Sequence, residues 1–365
     1  MKPLEGIRVV EAAAFIAGPF ATMILADLGA EVVKVEPPRG EAYRRLGDLY
    51  GESSLLFRGV NQNKEGVALD LKQPEGMANL RELLADADIF LTNWRPGVAE
   101  SLGLTEAVVR SDFPKLIWVR VSGYGQTGPK ATKPAYDKVI HAQTGAMLSA
   151  GTDNGLFEAN SNVADKVTAM TAAHAATAAL LARTAAAGNG MVCDVSMLDA
   201  NAYFYGGDIS TGHRVPGAGP DPFPAQTSLG RTVFKTADGW ITLVPVTGRQ
   251  LRNVLAVIGH ADRWSEIKAD GAQHIWPRML ELLEPDLRSE PSSVWQQRFA
   301  DADVPVTVVQ DFDCHLTDPQ VVHNRTYAEV ADAGTGTFLQ VRYPGLFNGQ
   351  PVDIQPKPAP GLAPP

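Results

Sequence analysis

The chain opens on an apolar run, GIRVVEAA, that predicts a β-strand. The next run, AGPFATMILADLG, predicts a helix, with Pro19 early and Gly29 just past its end. AEVVKVE follows as a second strand, and a strand–helix–strand unit of about 30 residues implies a parallel sheet. The alternation continues. KEGVALDLK is a short extended segment, PEGMANLRELLADA a helix and DIFLTNW a strand. AVVRSDFPK is a connecting helix or turn, and LIWVRVS a further strand. This pattern over the first 125 residues predicts a doubly wound, Rossmann-like α/β fold.

An alanine-rich stretch, DKVTAMTAAHAATAALLARTAAAGNG, then predicts a long helix ending at Gly188 or Gly190. MVCDVSMLDANAYFY continues as strand and then helix. HRVPGAGPDPFPAQTSLG, residues 213–230, is dense in Gly and Pro and marks a linker or an active-site loop. RTVFKTADGWITLVPV predicts a hairpin turning at Asp238-Gly239, which opens a second domain with helices near 249–260 and 273–284. The expected organisation is a large domain over 1–205 completed by 318–365, a linker over 206–224, and a smaller α/β domain over 225–317. No internal repeat is present, and the tail PKPAPGLAPP is expected to be extended.

Composition narrows the function classes. Of 365 residues, 45% are apolar and 20% charged, which suits a globular protein. The net charge of −9 argues against a nucleic-acid or anionic-membrane binder, while leaving room for a local basic pocket. The two cysteines, Cys193 and Cys314, have no metal-type spacing, nor do His315 and His323, so no metal site is expected. The first residues lack a secretory h-region, no apolar run approaches a membrane span, and a cytoplasmic location is expected. No H-E-x-x-H, G-x-S-x-G or Walker loop occurs. His174 reads as a packed helix residue, and Asp194 and Asp199 read as structural.

GYGQTG, residues 123–128, is a literal G-x-G-x-x-G after a strand. A dinucleotide fingerprint needs its last glycine to open a helix, whose N-terminus receives the pyrophosphate. Here Pro129 and Pro134 follow, and the strand is not the first of the chain. The loop therefore reads as a structural turn or as the lining of a different ligand.

The stretch LEGIRVVEAAAFIAGPFATMILADLGAEVVKVEPP resembles the opening of the family III CoA-transferases, the group that includes the formyl-CoA and carnitine CoA-transferases. NQNKEGVALDLK, NWRPGVAESLGL, VSGYGQTGP, VADKVTAMTAAHAATAALLAR, CDVSMLDA and ADADVPVTVVQDFDCHLTDPQV resemble the same family, in the same order, over almost the whole chain. The resemblance implies two chains interlocked as rings in a homodimer. It also implies acyl-CoA and carboxylic acid as substrates, with no permanently bound cofactor. The family's usual Gly-Glu-His-type segment and last helix do not follow Pro365.

In that family an aspartate attacks the acyl-CoA thioester, and the matching residue is Asp165 in SNVADKVTAM. Read from the residues alone, Asp165 precedes the alanine-rich helix and can sit at its N-terminus. There the dipole favours the ionised carboxylate by about 0.3–1 kcal/mol, and a plain N-cap is the competing reading. The resemblance places Ile16 and Ala17 along the pantetheine arm and Leu69 to Lys72 near the nucleotide, with Lys72 a phosphate partner. It adds Asn93, Trp94 and Arg95 after a strand end, Lys133 and Tyr136 after the glycine loop, and Arg39 after VEPP. Ser101 departs from the pattern, standing where the formyl-CoA enzyme has a phosphate-binding arginine.

Two rival activities share these features. An α-methylacyl-CoA racemase would place a His-Asp pair where this chain has Tyr136-Asp137, and losing that histidine removes a base suited to neutral pH. A non-catalytic CoA-binding protein would have no need of Asp165. The glycine run that covers intermediates in the formyl-CoA enzyme aligns near PFPAQTSLG. The QTSL at 226–229 suits a larger acid than oxalate.

Overall fold

The computed structural model describes residues 1–149, 159–185, 188–206, 231–332 and 336–363. The expected linker over 206–224, Gly206 apart, and the 226–229 segment lie outside these residues. The chain divides into a larger unit, Met1–Ile209 with Asn324–Pro365, and a smaller unit, Ser210–His323.

The larger unit is built on six parallel strands: β1 (Arg8–Ala12), β2 (Glu31–Glu36), β3 (Glu65–Ala68), β4 (Ile89–Thr92), β5 (Ile117–Ser122) and β6 (Val192–Ser196). Their spatial order is β3-β2-β1-β4-β5-β6, that of a doubly wound sheet. Successive strand side chains point to opposite faces, so each strand feeds two cores. Val9, Ile89, Leu91, Ile117, Val119 and Val121 pack on one side, against α1 (Ala17–Asp27) and the long alanine-rich helix. Val10, Val35, Phe90 and Trp118 pack on the other, against Leu80 and Leu84 of α2 (Pro74–Ala85) and Val109 of α3 (Glu106–Asp112).

Helix α1 stops where Gly29 adopts φ +101°. Its N–H bonds the Ala26 carbonyl and that of Ala30 bonds the Leu25 carbonyl, a Schellman ending that favours glycine. Helix α4 (Asp137–Gln143), which the sequence pattern does not signal, precedes α5 (Val163–Ala185). In α5 the alanines 169, 172, 173, 176 and 179 recur at helical spacing and form its buried stripe. Helix α6 (Met197–Tyr205) follows β6.

In the smaller unit β7 (Val233–Lys235) and β8 (Trp240–Leu243) flank the Asp238-Gly239 turn, and β9 (Val306–Val308) pairs antiparallel with β8. So short a turn can join only antiparallel strands, so the sheet of this unit, packed against helices, is antiparallel. Helices α7 (Gly248–Val257), α8 (Ala272–Leu287) and α9 (Ser292–Asp301) bury Val254, Leu283 and Phe299 against Phe234 and Ile241. Beyond it, β10 (Tyr327–Asp332) and β11 (Gly336–Val341) form a hairpin of the larger unit. The described part of the Pro-rich tail, residues 356–363, has neither helix nor strand and runs beside the β3 edge, where the Ala68 N–H bonds the Ala363 carbonyl at 2.9 Å. No described helix is long and apolar enough to cross a membrane.

Candidate active site

Strand order reverses between β1 and β4, and ligands of doubly wound sheets bind at the carboxyl ends of strands beside such a switch. A cavity of about 290 Å³ lies there. The β1–α1 loop supplies Phe15, Ile16 and Ala17, the segment after β4 supplies Asn93, Trp94 and Arg95, and Lys133, Tyr136 and Asp165 complete the wall. A second cavity of about 720 Å³ shares Ala14, Asn93 and Trp94 with it and extends to Leu69, Lys72 and Ser101. The predicted ligand residues therefore come together, with Arg39 the exception. Arg39 is exposed and lines neither cavity, because the chain turns at Gly40 (φ +72°) and presents Glu41 instead. Asn93 lines both cavities, yet its amide is committed: Oδ1 accepts from the Ala14 N–H at 3.0 Å and Nδ2 donates to the Ala14 carbonyl at 2.7 Å.

The end of β5 and the glycine loop contribute Ser122 and Gly123 to the smaller cavity. The Ser122 hydroxyl accepts from the Gly125 N–H at 3.1 Å, and no helix begins between the loop and Asp137.

Asp165 is the third residue of α5 rather than a residue preceding it. Its own N–H donates to Oδ1 of Asp137 at 3.0 Å. The electrostatics also differ from the sequence expectation. Burial first, and the Asp137 carboxylate second, push the Asp165 carboxyl up to about 7, so these effects outweigh the helix dipole. Asp137 is buried, with Lys138 Nζ at 3.6 Å from its Oδ2. One turn on, buried His141 meets the Tyr205 hydroxyl through Nε2 at 3.1 Å, while its Nδ1 has no partner. The Phe15 ring lies between those of Tyr43 and Tyr136, with centroids 5.8 and 5.5 Å away. Among the described residues no three His, Cys, Asp or Glu side chains are grouped to hold a metal.

Behind the β1–α1 loop lies a buried cluster of charge. Lys34 Nζ donates to Glu11 Oε1 at 2.7 Å and to the Ala13 carbonyl at 2.9 Å, and stands 2.8 Å from Glu41 Oε1. Lys64 Nζ donates to Glu11 Oε2 at 2.8 Å and to the Pro19 carbonyl at 2.8 Å. Burial opposes the charge on Glu11, but the two lysines outweigh it and hold its carboxyl well below the usual range. The lysines shift in opposite directions. For Lys34 the facing Glu11, Glu41 and Glu36 overcome burial and raise it, whereas for Lys64 burial prevails and lowers it to about 8. Sequence reasoning missed Phe15, Glu41 and Asp137 as parts of this site. The available signal was a charged residue inside each of two apolar strands, Glu11 and Lys34.

Two adjoining cavities at the switch point of a doubly wound sheet, with a carboxyl of raised pKa on the wall of one and an exposed lysine on the wall of the other, form a candidate ligand site in an α/β fold. The chain belongs to CoA-transferase family III, whose family model matches residues 4–363, and it is a CoA-transferase. It is 29% identical to the human succinyl-CoA:glutarate CoA-transferase over 351 residues, 92% of this chain and 78% of that protein. It is 29% identical to the (R)-2-hydroxy-4-methylpentanoate CoA-transferase of Clostridioides difficile, over 96% of this chain and 90% of that one. It is 30% identical to a succinate–glutarate CoA-transferase of Agrobacterium fabrum, over 99% and 93%. Among solved structures, Rv3272 of M. tuberculosis superposes with a TM-score of 0.84 at 27% identity, covering 99% of this chain and 97% of that one. A CAIB/BAIF family protein of Brucella suis superposes at 0.85 and 25% identity, covering 99% and 96%.

Proposed function

We propose that the enzyme moves CoA from an acyl-CoA to a carboxylic acid through covalent intermediates on Asp165. The observation that carries this reading is the placement of Asp165 in the smaller cavity, at the switch point and next to the larger cavity that reaches Lys72. A carboxylate oxygen of Asp165 attacks the thioester carbonyl and CoA leaves as thiolate, giving an acyl-aspartyl anhydride. The thiolate then attacks the aspartyl carbonyl, which releases the first acid and leaves an aspartyl-CoA thioester. The acceptor carboxylate attacks that thioester, and the returning thiolate takes the new acyl group and frees Asp165. The larger cavity suits the nucleotide end of CoA, with Lys72 at its phosphates, and the Ile16–Ala17 backbone suits the pantetheine arm. Acyl-CoA, CoA and the acids are substrates that come and go, so activity is expected to survive exhaustive EDTA treatment.

The test is chemical trapping. Incubation with acyl-CoA and then hydroxylamine should convert Asp165 to its hydroxamate, visible by mass on the peptide containing VADK. Succinyl-CoA with glutarate is the first pair to assay, because the human and mouse relatives bear both in their names. Unchanged turnover in Asp165→Ala would remove the reading. Exchange of an α-proton into deuterated water without acyl transfer would move the assignment to the racemase. We further infer an interlocked homodimer, a reading supported by the resemblance and by an exposed apolar groove of about 650 Å³ that includes Met170, Leu339 and Val341. Sedimentation as a folded monomer at micromolar concentration would count against it.

A further inference from the structure

The β1–α1 loop is held by side chains from three other places in the chain. Lys34 Nζ takes the Ala13 carbonyl at 2.9 Å, Asn93 takes both the N–H and the carbonyl of Ala14, and Glu41 Oε2 takes the Phe15 N–H at 2.7 Å. Phe15 is held at φ +64°, in the left-handed region that a residue with a Cβ seldom occupies. Such strain persists only where the surroundings over-determine it, and its presence is a pointer to function. A Cβ on Gly18 would stand 2.4 Å from that of Ala13, so the turn into α1 is closed tightly as well.

The clamp draws on the buried cluster. Glu11, Lys34, Lys64 and Glu41 balance in charge and are each under a twentieth exposed. Burying two ion pairs contributes little net stability, and apolar residues of the same volume often serve a fold as well or better. Stability alone therefore does not account for the cluster. What it does accomplish is geometric: the loop it fixes lines both cavities and brings Phe15 and Ile16 to the cavity that Asp165 also lines.

We propose that Lys34, Glu41 and Asn93 are positioning residues for the transfer reaction, clamping the strained Ala13–Ile16 loop as the surface against which the thioester is presented to Asp165. The inference rests on the Asp165 reading above. Attack requires near-contact geometry, and a displacement of about 1 Å remote from the reacting atoms can slow a reaction about a hundredfold. The clamp thus acts on the rate of attack, while the hold on the nucleotide rests on Lys72 and its neighbours on the wall of the larger cavity.

The test measures single-turnover labelling of Asp165 with acetyl-, succinyl- and octanoyl-CoA under hydroxylamine, and the Kd for CoA by calorimetry. The variants are Glu41→Gln, Asn93→Ala, Lys34→Met and Asp165→Ala, each checked for cooperative unfolding. Glu41→Gln and Asn93→Ala should slow labelling about ten- to a hundredfold with Kd changed less than about threefold. The Glu41→Gln/Asn93→Ala double variant should be little slower than the worse single, since both act through one loop. Normal labelling rates in folded single variants, or a weakened Kd at an unchanged rate, overturn the proposal. So does multiplication of the two effects, which would mean independent roles. If Lys34→Met does not fold, the decision rests on Asn93, whose side chain lies outside the charge cluster. Undiminished turnover in Asp165→Ala would instead overturn the nucleophile reading, a result distinct from failure of the clamp.

Discussion

The Asp165 N–H donates to Oδ1 of Asp137 over 3.0 Å, so the bond that ties α5 to α4 also sets a second carboxylate beside the first. Burial and this neighbour both disfavour the charged form of Asp165 and bring its pKa to about 7. A carboxyl of raised pKa is a more basic nucleophile once ionised, at the cost of needing neutral or higher pH.

Acylation of Asp165 should accordingly rise with pH through about 7, because only the carboxylate attacks. Asp137→Asn keeps an oxygen for the Asp165 N–H and removes the like charge, so the acid limb should move to lower pH. Quench-flow profiles of labelling read both. Identical profiles for wild type and variant would show that Asp137 does not tune the nucleophile.

The same shift has a stability consequence. The folded state holds the Asp165 proton up to about 7, whereas the unfolded chain releases it near 3.8. The contribution is therefore present below pH 3.8 and lost as pH rises through 7. Asp165→Asn, which cannot ionise, should be more stable than wild type at pH 8 and nearly equal to it near pH 4. Urea unfolding at the two pH values checks the sign.

Removing one member of the buried cluster should be costly. Glu11→Ala leaves Lys34 and Lys64 without their shared carboxylate and should destabilise the larger unit by about 3–5 kcal/mol. Replacing all four together by Glu11→Leu, Lys34→Met, Lys64→Met and Glu41→Gln, so that no buried charge is left unpaired, should recover much of that loss. A chemical-denaturation series in which the fourfold variant is the least stable would contradict this account.

Lys72 is exposed and offers its charge at the larger cavity. Lys72→Ala should weaken CoA binding about tenfold, or about 1.4 kcal/mol, with a shallower salt dependence than wild type. The saturated labelling rate should remain unchanged. A slower rate at unaltered Kd would place Lys72 in the reaction rather than at the phosphates.

The parallel sheet, the two-sided burial of its strands and the alanine stripe of α5 were legible because they rest on periodicity, which is local. The Gly29 ending of α1 was legible for the same reason, since a left-handed turn demands a particular residue at a particular place. Helix α4 was not. Its seven residues lie too close to the Pro129 and Pro134 turns to show a period, and its position is set by packing against α5.

By itself, the sequence determined the family and, α4 apart, the succession of strands and helices in the parallel sheet. The spatial order of the strands belongs to the fold, though right-handed crossovers leave few ways to wind such a chain. Tertiary structure alone decided the state of the Asp165 carboxylate. The helix dipole, visible in sequence, favours an ionised Asp165, and only folding brings Asp137, 28 residues away, and enough burial to reverse the balance. It also decided that Glu41 faces the cavity while Arg39 faces solvent, and that Glu11, Lys34 and Lys64 share one buried site. Charge interactions depend on distance in space and on the surrounding dielectric, and neither is written in the spacing of residues along the chain.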